Sequence, residues 1–259
     1  MKSARWMATL SVFLSIQAPS LLGAEVGPQP PALKFAAEPY PPFQYDEAGK
    51  PAGPMIEVLQ AVCAAADFSC TAEMMPLRRT LKTASAGFLD GISIALRTPE
   101  REKSFFVSDD IVRSSFTFFA RAGSSFNYRT AQDLSNTTIG VYGPSGASIT
   151  ASDLAKGTNA QLEIELDNAT VLRKLAVGRY GANGAALLNR DVAMSLIKEN
   201  GIEGLTSAGE AKSIDYAIGL SRSKVSAEQA ELFNSKLRAL KRSGVVKKIL
   251  QKYGLTPAP

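Results

Sequence analysis

Arg101 is the residue of this chain whose type and position most suggest chemistry. It stands in Leu96-Arg97-Thr98-Pro99-Glu100-Arg101, just after the apolar run 91–95. That run reads as a buried strand, and Thr98 with Pro99 reads as a hydroxyl cap followed by Pro at the first helical position. Arg101 then falls in the first turn of a short helix, and the pair Phe105 and Phe106 anchors the segment after it. A guanidinium fixed just past the C-terminal end of a strand can grip a carboxylate with two parallel hydrogen bonds. Read alone, the plainer account is a solvated Arg at a helix start, and the remainder of the chain shifts that balance.

Other chemistry is sparse. The chain has no His, which removes the commonest general base. Its two cysteines, Cys63 and Cys70, are too few to build a metal site without His, so no metal and no cofactor is expected. One disulfide closing a small helix-to-strand loop fits an exported chain, and two buried free thiols are the alternative.

The elements that must position these residues follow from periodicity. Residues 33–37 read as a strand, and Glu38-Pro39-Tyr40-Pro41-Pro42-Phe43 as a rigid aromatic turn, because three prolines block a helix. Residues 54–65 are an amphipathic helix, with Met55, Val58, Leu59 and Val62 on one face. A strand at 69–74, a helix at 76–86 ending at Gly87 and the strand at 91–96 complete a β-α-β-α-β run, the pattern of a parallel α/β sheet. After the β-forming run 115–120 the pattern starts afresh, with strands at 138–142, 161–166 and 184–188 and helices at 168–177 and 190–199. Residues 215–220 form one more strand, and helices at 226–243 and 246–253 close the chain. Two α/β units with two strands available to cross between them imply a two-lobed clamp, and clefts of that kind hold ligands.

Composition sets the compartment. The chain has 259 residues, 45% hydrophobic and 20% charged, which is ordinary for a globular protein. The formal charge is +5, but Lys and Arg are scattered, and the mild cluster over 236–252 reads as a solvated helix face, so no nucleic-acid partner is expected. Residues 1–24 read as a secretory signal: Lys2 and Arg5, an apolar stretch too short to span a membrane, and a cleavage site near Ala24. Removing it takes the charge from +5 to +3, because the segment carries two bases and no acid.

These pieces resemble the periplasmic solute-binding proteins of polar amino-acid ABC transporters, with the type II periplasmic binding fold. The resemblance is carried by Tyr40-Pro41-Pro42-Phe43, Gly53 before the first helix, the C-x6-C spacing of Cys63 and Cys70, Arg79 before Gly87-Phe88-Leu89-Asp90, Thr98-Pro99-Glu100-Arg101, and the tail Lys252-Tyr253-Gly254. It implies an α/β clamp of two lobes, each a mostly parallel sheet flanked by helices, joined by two hinge strands. Lobe 1 would comprise residues 25–121 and 216–259, and lobe 2 residues 122–215. It also implies a periplasmic, monomeric receptor that hands a small carboxylate-bearing ligand to an inner-membrane ABC permease.

The resemblance assigns roles to particular residues. Arg101 would hold a carboxylate, Tyr40 would stack on the ligand, and Phe43 would back Tyr40. Ser145 and Gly146 of the second lobe lie where a helix start would offer N–H groups to the same carboxylate; an ordinary strand-to-helix turn is the alternative. Three positions depart from the family pattern. Asn189 stands near the place of the acid that usually holds an α-ammonium, Leu96 replaces a Ser or Thr, and Ala37 replaces an acid, with Glu38 adjacent. Arg79 and Arg97 would add positive charge to the cleft and favour an anionic ligand. Two other functions fit the same fold: a periplasmic dehydratase of the cyclohexadienyl or arogenate type with Glu38 as its acid, and an accessory protein of a periplasmic redox enzyme.

Overall fold

The computed structural model describes residues 30–259, so the expected export signal lies outside the described residues. Strand β1 (Ala32–Ala37) leads into the aromatic turn, and a small hairpin follows, β2 (Tyr45–Glu47) and β3 (Lys50–Ala52). Helix α1 (Pro54–Ala65) begins at Gly53, whose φ is 107° and where a Cβ would come within 2.8 Å of the Phe43 carbonyl oxygen. Only Gly lets the turn lean on the helix start in this way. The Met55 N–H then donates to the same carbonyl at 3.0 Å, which ties the aromatic turn to α1. Met55, Val58, Leu59 and Val62 are buried, as their spacing predicts.

The disulfide between Cys63 and Cys70 joins the end of α1 to β4 (Ser69–Met74). Helix α2 (Leu77–Ser85), strand β5 (Gly91–Leu96), helix α3 (Pro99–Ser104) and strand β6 (Phe105–Val107) come next, and β7 (Val112–Arg121) carries the chain away. Beyond a short 3₁₀ turn at Ala131–Leu134 come β8 (Thr138–Tyr142), α4 (Gly146–Ala155), β9 (Gln161–Glu165), α5 (Asn168–Ala176), β10 (Ala185–Asn189) and α6 (Arg190–Glu199). Strand β11 (Leu205–Ser221) returns, and α7 (Ala227–Arg242), α8 (Val245–Lys252) and β12 (Thr256–Pro257) end the chain.

The strand order is β4-β1-β5-β11-β7-β10-β8-β9, with β6 on β11 and β12 on β7. Within each half the neighbours β4-β1-β5 and β10-β8-β9 are parallel, whereas β11 and β7 join the halves as an antiparallel pair. This is the two-lobed clamp, with β7 and β11 as its hinge strands. The β11 register shifts between Ser207 and Glu210, between Glu210 and Lys212, and again between Ala217 and Gly219. Such bulges bend and twist a strand, as a passage between lobes requires. Helices α7 and α8 pack on α1. Phe35, Phe43, Met55 and Phe233 are fully buried there, each contributing about 2–3 kcal/mol of transfer free energy.

The structure extends the sequence reading at three places. The hinge strands run as Val112–Arg121 and Leu205–Ser221, well beyond the expected 115–120 and 215–220. The first part of β11 is small and polar, and pairing with β7 makes it a strand against weak propensity. Helix α4 runs a full ten residues, although its Ser, Thr and Ala content gave only its start away. Strands β6 and β12 exist through pairing with β11 and β7, at three and two residues.

Candidate ligand-binding site

The aromatic turn is held rigidly from beneath. Gln44 is fully buried; its Nε2 donates to the Glu38 carbonyl at 2.9 Å, and its Oε1 accepts from Ser93 Oγ of β5 at 2.6 Å. The Tyr40 N–H donates to the Gln44 carbonyl at 2.9 Å, and the Phe43 N–H to the Tyr40 carbonyl at 3.0 Å. Phe43 stacks on Tyr40 with ring centroids 5.7 Å apart, and Tyr216 meets both rings edge-on. Glu38 and Tyr40 are thereby fixed at the C-terminal end of β1, where open α/β sheets place their ligands.

Arg101 is set by its helix. Thr98 caps α3 and accepts the Arg101 backbone N–H at 3.2 Å, Pro99 occupies the first position, and the side chain is partly buried. From the other lobe, Ser145 caps α4 and takes the Ser148 N–H at 3.2 Å, while Ser148 Oγ takes the Ser145 N–H at 2.9 Å. The remaining first-turn N–H groups, those of Gly146 and Ala147, have no acceptor within the helix. A Cβ on Gly146 would lie 2.7 Å from Leu96 Cδ2 and 3.1 Å from Phe116 Cζ, so α4 approaches β5 and β7 closely here and a larger residue would fit only if the Leu96 side chain gave way.

These groups enclose a cavity of about 30 Å³ bordered by Glu38, Tyr40, Leu96, Arg101, Tyr142, Ser145, Gly146 and Tyr216, among others. Glu38 is 9% exposed. Burial pushes its carboxyl up to about 7, against the opposing effects of Arg101 and of the Tyr142 hydroxyl. Burial lowers Arg101, and the charge of Glu38 is the first of the effects that hold it up. Burial also raises the phenols of Tyr40, Tyr142 and Tyr216, which stay neutral donors at ordinary pH. The cavity thus offers one guanidinium fork, the start of a helix and one buried carboxyl, all facing inward: a set that can hold a carboxylate and a cation at once.

The sequence-expected residues divide into two groups. Arg101, Tyr40, Glu38, Leu96, Ser145 and Gly146 come together around the cavity, and Phe43 lies behind Tyr40. Asn189 is 1% exposed and fully committed. Its Oδ1 caps α6 through the N–H groups of Asp191 (3.0 Å) and Val192 (3.1 Å), and its Nδ2 donates to Ser114 Oγ (2.9 Å) and to Tyr216 (3.3 Å). Nothing remains on it for a ligand ammonium. Arg79 is exposed on α2. Arg97 turns to the Ser108 carbonyl (2.7 Å), Glu102 (2.9 Å) and Asp110 (4.0 Å), away from the cavity. Neither arginine adds its charge to the lining.

Sequence reasoning missed Tyr142, Tyr216 and Phe116. Tyr142 ends a parallel strand immediately before the Gly143-Pro144-Ser145 loop, a position that the rule for such sheets picks out. Tyr216 reaches the site only because β11 pairs antiparallel with β5, which sets it opposite Leu96. No local pattern marks that register.

The described residues thus form a two-lobed clamp with a small cavity lined from both lobes. The family model of bacterial extracellular solute-binding proteins, family 3, matches residues 33–256, and the chain belongs to that family. Among solved structures it is similar to a histidine kinase sensor domain with similarity to periplasmic binding proteins, at TM-score 0.79 and 19% identity over 89% of this chain and 99% of that one. It is also similar to an ancestral arginine-binding protein bound to arginine, at 0.76 and 23% over 87% and 99%. A third is the amino-acid ABC transporter substrate-binding protein AbpA of Streptococcus pneumoniae bound to L-arginine, at 0.72 and 23% over 85% and 93%. No curated protein matches the chain in sequence.

Proposed function

We propose that this chain is a periplasmic receptor, cleaved near Ala24, that captures a small carboxylate-bearing ligand, an amino acid or a related acid, between its lobes and delivers it to an ABC permease. In this reading it acts as a monomer, with lobe 1 comprising residues 25–121 and 216–259 and lobe 2 residues 122–215. The observation that carries it is the placement of Arg101 and the α4 start on opposite sides of one enclosed cavity. A carboxylate between them takes two guanidinium hydrogen bonds from one lobe and backbone N–H donors from the other, so binding favours closure. The cavity of about 30 Å³ holds one or two waters and no amino acid, so entry requires the lobes to part along β7 and β11. Family membership supports the same reading.

A thermal-shift series of amino acids and dicarboxylic acids tests it. A ligand at a hundred times its dissociation constant stabilises by roughly 2.7 kcal/mol, a shift that is readily seen. A flat series contradicts the receptor reading.

One observation favours a second reading. Glu38 is a buried carboxyl raised to about 7, the property of a general acid. A dehydratase would use it to protonate a leaving hydroxyl of a cyclohexadienyl acid. Incubation with prephenate and arogenate separates the two: product with aromatic absorbance supports the enzyme, and its absence supports the receptor.

A further inference from the structure

The hinge strands bend at a definite place. The β7–β11 ladder is irregular between Ser207 and Lys212 and regular from Lys212 to Tyr216. Tyr216 ends the regular stretch, opposite Leu96 of β5 on one side and Val112 of β7 on the other, so it moves with the first lobe. Ser114 pairs with Ile214 in the same stretch. Asn189 belongs to the second lobe: it ends β10, caps α6, and pairs with Phe116, which faces Lys212 at the bend. Asp191 follows in the first turn of α6.

Three side-chain hydrogen bonds cross this bend. Asn189 Nδ2 donates to Ser114 Oγ at 2.9 Å and to the Tyr216 hydroxyl at 3.3 Å, and Ser114 Oγ donates to Asp191 Oδ2 at 2.5 Å. Asn189, Ser114 and Tyr216 are 1%, 4% and 5% exposed, so water does not compete for them while the lobes are together. Tyr216 is held from its other side by the Tyr40 hydroxyl at 2.9 Å and by its edge contacts with Tyr40 and Phe43. Parting the lobes along the bend draws Asn189 and Asp191 away from Tyr216 and Ser114. It breaks bonds in a region where, among the described residues, every buried side-chain polar atom has a partner.

We propose that Asn189, Ser114 and Tyr216 form an interlobe latch, which holds the clamp closed through the chain's own hydrogen bonds and sets how readily it opens. The latch uses neither the Arg101 guanidinium nor the α4 start, so it acts whatever the cavity binds and does not rest on the receptor reading. Entry and release of a ligand both need the lobes apart. A looser latch therefore speeds the two together and changes affinity little in a clamp that is mostly closed.

The Arg113–Asp215 pair provides the contrast. It joins β7 to β11 by two hydrogen bonds of 2.9 Å, but inside the regular stretch and on the first-lobe side of the bend. Breaking it loosens the hinge strands without touching a bond between the lobes.

The test is pulsed electron-resonance distance measurement on the mature chain without added ligand. Spin labels are attached at Arg79→Cys on α2 and Lys198→Cys on α6, both exposed and on opposite lobes. With the latch intact, one short distance should dominate. Tyr216→Phe and Ser114→Ala should each raise the population at longer distance by roughly two- to tenfold, the worth of one net hydrogen bond. Arg113→Gln should leave the distribution unchanged. Tyr216→Phe keeps the ring and its packing, and Ser114→Ala removes one oxygen outside the cavity lining, so either variant carries the test if the other fails to fold. A short distance kept in both variants, or a long distance dominating with the latch intact, overturns the proposal. So does an equal shift in Arg113→Gln, because any weakening of the hinge strands would then open the clamp.

Discussion

The hydroxyl of Tyr40 lies 2.9 Å from that of Tyr216, and so links the aromatic turn directly to hinge strand β11. The chain of contacts continues. Asn189 Nδ2 donates to Tyr216 and to Ser114 Oγ on β7, and Ser114 donates to Asp191 on α6. A polar relay therefore runs from the ligand-facing turn through both hinge strands into the second lobe. Every member is satisfied, the condition under which a buried polar network stabilises a unique arrangement.

Asn189 is the centre of that relay, and its replacement should act on stability. Asn189→Ala removes the α6 cap and takes one of the partners from each of two hydroxyls, those of Ser114 and Tyr216, at a cost of about 1–3 kcal/mol. Denaturant unfolding should report this loss, while the folded variant keeps the wild-type ligand affinity within a few-fold. A stable variant with abolished binding would instead give Asn189 a ligand contact.

Glu38 should make the empty protein sensitive to pH. Its carboxyl ordinarily titrates at 4.5 and here at about 7, raised by burial despite Arg101 and the Tyr142 hydroxyl, with Tyr40 and Tyr216 beside it. A raised acid favours the folded state while protonated. The contribution is full below about pH 4.5 and is lost as the pH rises through about 7, on the order of 3 kcal/mol in all. Wild type should therefore lose stability between pH 5 and pH 8 relative to Glu38→Gln. Parallel stability curves for the two proteins would contradict this.

Gly146 sets how closely the lobes meet. A methyl there would clash with Leu96 at 2.7 Å and Phe116 at 3.1 Å. Gly146→Ala should weaken ligand binding by roughly 1–3 kcal/mol through obstructed closure, with thermal stability of the empty protein little changed. Adding Leu96→Ala should recover part of the loss. Unchanged affinity in the single variant would mean that the lobes need not come this close.

Reduction of the Cys63–Cys70 disulfide should cost about 2–3 kcal/mol, the value for a loop this short. Ligand affinity should persist, because the bridge joins α1 to β4 away from the cavity. Lost affinity in a still-folded reduced protein would show the bridge positioning the site.

Much of this was legible in the sequence. The β-α-β-α-β run from Ala32 to Leu96, the Thr98-Pro99 helix start and the Pro-rich turn are local signals, and each forms as its residues dictate. The half of the site that was missed depends on long-range register. Tyr216 faces the cavity through the β11–β5 pairing, and Asn189 is withdrawn from it by partners 75 and 27 positions away in the chain. The side-chain directions of Arg79 and Arg97 were likewise decided by exposure and by Glu102, Ser108 and Asp110, which spacing alone does not reveal.

The role of Arg101 as carboxylate anchor is tested most directly by calorimetric titration of wild type, Arg101→Lys and Arg101→Ala with the tightest amino-acid ligand found. The Thr98 cap receives the backbone N–H of residue 101, so both variants should keep α3 and fold normally. Lysine keeps the charge and loses the planar fork, so affinity should fall. Alanine should cost more, on the order of 2–5 kcal/mol, because the closed cavity desolvates the pair. Equal affinities across the three folded proteins would contradict the account.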